Sequence, residues 1–116
     1  MHVLDIELLW WAGCPSTERA LGELEAALED AGMPGAEIRM TEISSEDEAR
    51  ERAFVGSPTI LVEGHDVAPP ADEPVGLNCR VYRRRDGAVS PTPDPDDLRD
   101  DLRRARVRAS PEGVTR

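Results

Sequence analysis

Apolar and polar side chains alternate between Val3 and Trp10, with Leu4, Ile6 and Leu8 on one face and Asp5 and Glu7 on the other. That two-residue period predicts a strand. Ala12-Gly13-Cys14-Pro15 interrupts it, and Pro15 suits the first position of a helix, where its missing N–H would have no partner anyway. The period then lengthens. Leu21, Leu24 and Leu28 recur at three and four residues beside Ala20, Ala27 and Ala31, while Glu18, Glu25 and Glu29 fall outward, predicting a helix to about Ala31 that Gly32 and Pro34 end.

Alternation returns over Glu37–Ile43, with Ile38 and Met40 facing one way and Arg39 and Thr41 the other. Ser45 followed by Glu48 has the capping-box spacing and predicts a short helix to about Ala53. Phe54-Val55-Gly56-Ser57-Pro58-Thr59 leads into the apolar strand Ile60-Leu61-Val62, closed by the turn Glu63-Gly64. Residues 65–78 hold three prolines and no period, and read as a long loop with His65 as a turn residue. Arg80–Arg84 reads as a short strand closed by Asp86-Gly87, and Ser90–Pro95 as a connector. A last helix starts near Asp96, with a seam of Leu98, Leu102 and Ala105 or Val107, acids early and arginines late.

The predicted order is β-α-β-α-β-β-α. A right-handed crossover makes the first two strands parallel, and the last two form an antiparallel pair. The fold class is α/β, a four-stranded mixed sheet with helices on both faces. With 116 residues, one domain over 1–108 and a flexible tail over 109–116 account for the chain.

Composition narrows the chemistry. Trp10, Trp11, Phe54 and Tyr82 are the only aromatic residues, so the core is aliphatic, with Trp10 predicted inward. A net charge of −10 argues against nucleic acid or an anionic membrane as a partner, because phosphate contacts need clustered cations. Arg83-Arg84-Arg85 reads as a solvated strand end or a local anion site. Glu46, Asp47, Glu48 and Glu51 read as a solvated helix face. No stretch approaches the ~18–20 apolar residues of a membrane span, and no targeting segment is visible, so the expectation is a cytoplasmic protein. Cys14 and Cys79 are too few for a disulfide framework or an all-thiolate zinc site, and His2 and His65 lie at no ligand spacing from them. No metal and no cofactor is expected.

Cys14 falls where a strand gives way to a helix. Free N–H groups and the helix dipole there favour a thiolate, although a small buried hydrophobe is the plainer reading of the same residue. Ser57-Pro58-Thr59 precedes a buried strand; a cis Pro58 would turn the neighbouring backbone toward Cys14.

Trp11-Ala12-Gly13-Cys14-Pro15-Ser16-Thr17 before a helix, with Val55-Gly56-Ser57-Pro58-Thr59 before a strand, resembles the thioredoxin superfamily over about residues 3–108. Together with Val62-Glu63-Gly64, Asp66 and Cys79-Arg80-Val81-Tyr82, these motifs look like small bacterial thioredoxin-like proteins often labelled alkylmercury-lyase-like. The resemblance implies a cysteine opening the first helix and a cis-proline facing it. It departs at Thr17, which stands where a dithiol motif has its second cysteine, so no disulfide cycle can run within Cys14–Thr17. Thr17 can donate to the Cys14 thiolate, as in monothiol relatives, or to a local carbonyl.

Cys79 is then the only internal partner. The basic topology puts it at the opposite end of the sheet, beyond the ~7 Å between Cα atoms that a disulfide allows. Loops longer than ~12–15 residues are often functional, however, and 65–78 can fold back and bring Cys79 to Cys14. The expected function is thiol–disulfide exchange or mixed-disulfide formation at Cys14, with Thr17 and Cys79 assisting. Trp11, Pro15, Ser57 and Pro58 would shape a place for a thiol or disulfide substrate, a protein among the candidates. The alternative is a non-enzymatic module that binds a soft metal, an organomercurial or a protein partner.

Overall fold

The computed structural model describes residues 4–109. Its elements are β1 (Ile6–Trp10), α1 (Thr17–Asp30), β2 (Arg39–Glu42), α2 (Glu46–Glu51), β3 (Thr59–Val62), β4 (His65–Asp66), β5 (Tyr82–Arg83), β6 (Val89–Ser90) and α3 (Pro95–Ala109). The main sheet is four-stranded and mixed, ordered β2-β1-β3-β4. β1 pairs parallel to β2 with Leu8 opposite Met40, and antiparallel to β3 with Leu8 opposite Ile60.

Alternation along β1 fixes the two layers. Ile6 and Leu8 join Ile60 and Val62 on one face, against Ala20, Leu24 and Leu28 of α1 and Leu98, Leu102 and Ala105 of α3. Leu9 points the other way, into a smaller cluster with Ile43, Ala49 and Phe54 beneath α2. Helices therefore cover both faces. Of the two residues expected to end the α3 seam, Ala105 is buried and Val107 is exposed. Trp10 is half-buried against the larger core and Trp11 against the smaller.

The ends of the helices follow local chemistry. Ser45 Oγ accepts from the Glu48 N–H at 3.1 Å, and the Glu48 carboxylate accepts from the Ser44 N–H at 3.2 Å. The capping box thus closes on the neighbour of the cap residue. Asp94, buried before α3, accepts from the Asp96 N–H and from the Arg85 N–H, both at 2.8 Å.

Three expectations change. The fourth strand of the sheet is β4, inside the segment read as loop, where His65 and Asp66 pair with Val62 and Leu61. The Glu63-Gly64 turn folds the chain straight back, so the nearest edge of β3 is filled before Arg80–Arg84 arrives. That later segment pairs instead with Val89–Ser90 as a separate two-stranded sheet. Second, Glu7 is buried at 4% exposure, although alternation put it on the polar face. Its strand is central, so both faces are covered. Third, α1 begins at Thr17 and not at Pro15, which lies in a turn.

Met40 is 40% exposed because β2 is the edge strand. Arg85 pairs with Asp97 and Asp100 of α3 at 2.7 and 2.8 Å, while Arg83 donates to the Gly87 carbonyl at 3.0 Å and Arg84 to Ser90 Oγ at 3.1 Å, so each guanidinium of the 83–85 run has a partner within the chain. The expected tail falls outside the described residues, apart from Ala109, which ends α3.

Candidate functional site

Beyond β1 the chain makes a tight turn in which the Cys14 N–H donates to the Trp11 carbonyl at 3.0 Å. The Trp11 indole lies over Gly13, where any Cβ would overlap the ring. This turn places Cys14 just before α1, buried at 7% exposure. Its thiol donates to the Ser57 carbonyl at 3.3 Å. Ser57 itself precedes a cis peptide bond to Pro58, whose carbonyl accepts from the Tyr82 hydroxyl.

The 65–78 segment decides the position of the second thiol. After β4 it returns across the α2 side: Leu77 packs on the Phe54 cluster, and the Gly76 N–H donates to the Phe54 carbonyl at 3.0 Å. The chain then runs parallel to Ser57. The Ser57 N–H donates to the Asn78 carbonyl at 2.7 Å, and the Arg80 N–H to the Ser57 carbonyl at 2.8 Å. Cys79, centred on this bridge, is exposed, and its thiol sits beside the Cys14 sulfur. Of the two placements open to Cys79, the structure has the one beside Cys14, through Ser57.

Arg80 anchors the bridge. Its guanidinium, 3% exposed, pairs with Asp66 at 2.8 Å, donates to Thr59 Oγ1 at 3.2 Å and to the Ala68 carbonyl, and stacks 4.6 Å from the centre of the Tyr82 ring. A pocket of about 840 Å³ opens beyond Arg80, lined by Asp66, Tyr82, Asp97 and Arg104, but neither cysteine reaches it.

The two thiols are electrostatically unlike. Burial pushes Cys14 up, but the Ser16 N–H, the Cys79 thiol, Ser57 and the Ser16 hydroxyl all hydrogen-bond its thiolate and bring it below the ordinary thiol value. Cys79 moves the other way, raised by desolvation and then by donating to, and sitting beside, the Cys14 sulfur. The Ser57 hydroxyl is buried without a partner while Cys14 keeps its proton, so the thiolate is the acceptor it lacks. At the reduced pair, Cys14 is the sulfur that ionises first.

No family model matches this chain, and no curated protein or solved structure matches it. The site therefore rests on its own geometry. Cys14, Cys79, Ser57 and Pro58 come together, with Trp11 flanking through the turn. Pro15 is exposed in that turn. Thr17 makes neither expected bond: its Oγ1 is buried without a partner. Because the helix starts at Thr17, this residue is not one helical turn beyond Cys14. The donor is Ser16, whose hydroxyl caps no helix N–H. Sequence reading missed Ser16, Asn78 and Arg80. Adjacency to the two cysteines was the available signal for all three. Arg80 carried a second, a charge at the start of an apolar stretch. Among the described residues no three His, Cys, Asp or Glu side chains are placed to hold a metal ion, and no helix is long and apolar enough to cross a membrane.

Proposed function

We propose that this chain is a thioredoxin-like thiol–disulfide exchange protein working through Cys14 and Cys79. The observation that carries the reading is that the two cysteines meet at Ser57, whose carbonyl accepts from the Cys14 thiol at 3.3 Å and whose backbone bridges to Cys79, beside a cis-proline and at the head of α1. The sheet order β2-β1-β3-β4 with helices on both faces supports the thioredoxin-like part of it. The lowered thiol of Cys14 supports the chemistry, because thiolates and not thiols attack disulfides and a low-pKa thiol is the better leaving group. With Thr17 in the usual place of the second cysteine, Cys79 supplies the second sulfur across the sheet.

Oxidation of the reduced chain by a small disulfide removes one electron pair from the two thiols and leaves a Cys14–Cys79 bond. The oxidant leaves as two thiols. Treatment with oxidised glutathione should therefore consume both free thiols within one chain, without forming dimers, and Cys14→Ser should abolish that product. A folded protein that keeps both thiols under these conditions would sink the reading. A pair that resists oxidation but takes up one mercuric ion per chain would point instead to linear soft-metal binding.

A further inference from the structure

The two sulfurs differ in access as well as in charge. Cys14 is 7% exposed, its sulfur 3.3 Å from the Ser57 carbonyl. Cys79 is exposed. The main chain of Ser57, the edge nearest the pair, is also occupied: its N–H goes to Asn78 and its carbonyl accepts from Arg80. An extended peptide cannot pair with that edge while the chain's own segment is there, so a substrate meets this site as a sulfur arriving over Cys79.

We propose that Cys79 is the external sulfur of the pair: the mixed disulfide with substrate forms on Cys79, and buried Cys14 closes the internal disulfide. The inference rests on the exchange function proposed above. In the oxidative half-cycle the Cys79 thiolate attacks one sulfur of a small disulfide RSSR, forming Cys79–S–S–R and releasing RS⁻. The Cys14 thiolate then attacks the Cys79 sulfur, forming the Cys14–Cys79 bond and expelling the second RS⁻. Two electrons pass from the protein thiols to RSSR, and the two thiol protons end on the two RSH molecules. In reverse, RS⁻ attacks the accessible Cys79 sulfur, and Cys14 leaves as the thiolate that Ser16 and Ser57 stabilise.

The fit is to a low-molecular-weight disulfide, because neither step requires a substrate strand. The proposed order also divides the roles of the two sulfurs. The exposed one meets the substrate, and the one with the stabilised thiolate serves as leaving group and resolver.

The test uses the full chain and oxidised glutathione. Cys14→Ser should acquire a stable glutathione adduct on Cys79 at least about tenfold faster than Cys79→Ser acquires one on Cys14, since exchange needs access to the attacking sulfur. Faster labelling of Cys14 in Cys79→Ser, or no adduct on Cys79, overturns the proposal. The wild-type protein guards against misfolded variants: its oxidised form is mixed with reduced glutathione, quenched with maleimide and mapped by mass spectrometry. Glutathione on Cys79 with maleimide on Cys14 supports the order, and the converse labelling overturns it. Failure of the wild-type chain to form the internal disulfide at all would instead remove the exchange function itself.

Discussion

Cys14 owes its lowered pKa to neighbours that donate to its sulfur, and Ser16 is the one that provides two donors, an N–H and a hydroxyl. Replacing Ser16 with Ala removes the hydroxyl and keeps the N–H. A hydrogen bond to a charged group contributes about 1.5–3 kcal/mol, so the Ser16→Ala thiolate should lose stabilisation at the lower end of that range. The midpoint of thiolate absorbance against pH should move up relative to the parent. An unmoved midpoint would show that the hydroxyl is not a donor. Ser16 was legible only as a neighbour of Cys14. Which of Ser16 and Thr17 turns toward the sulfur depends on where α1 begins, and capping signals locate a helix start only to within a residue or two.

At the scale of elements, the 78–80 segment and the Ser57 loop meet backbone to backbone. Gly56, at φ +145°, permits that approach: a Cβ there would lie 3.1 Å from both the N and the Cβ of Arg80. Gly56→Ala combines a conformation that favours glycine with overpacking against main chain, and should cost about 1–3 kcal/mol in denaturant unfolding. It should also displace Cys79 and slow formation of the Cys14–Cys79 disulfide several-fold. Parent-like stability and oxidation rate would refute the close contact. The periodic elements, β1, α1, β2, α2, β3 and α3, were all legible, because each carries its own hydrophobic period or capping residues. β4 was not. Two residues are too few to show alternation, and their pairing comes from the Glu63-Gly64 turn bringing them beside β3.

Across the whole molecule, the central place of β1 buries Glu7 and brings Arg39, Arg52 and Thr41 to it from other elements. The carboxylate accepts from Arg52 at 2.6 Å and Thr41 at 2.6 Å and pairs with Arg39 at 3.3 Å. Burial pushes Glu7 up, but these partners outweigh it and bring the carboxyl from its ordinary 4.5 to about 2. A pKa lower in the folded than in the unfolded chain adds stability that is complete above pH 4.5 and disappears as pH falls from 4.5 toward 2. With Arg39 and Arg52 partly exposed and screened, the contribution is on the order of 2 kcal/mol. The parent should therefore lose more stability across that pH range than Glu7→Gln in denaturant melts, and equal losses would contradict the assignment. Read along the chain, Glu7 was only a polar position in an alternating strand. The order of periodic elements, the α/β class and the marking of Cys14 and Pro58 follow from sequence alone, since period, caps and turns act over a few residues. Whether Cys79 reaches Cys14, which hydroxyl faces the thiolate and why Glu7 is buried were decided by tertiary structure. Those outcomes depend on a long segment closing over the sheet and on guanidinium groups arriving from distant positions, and no local period encodes either.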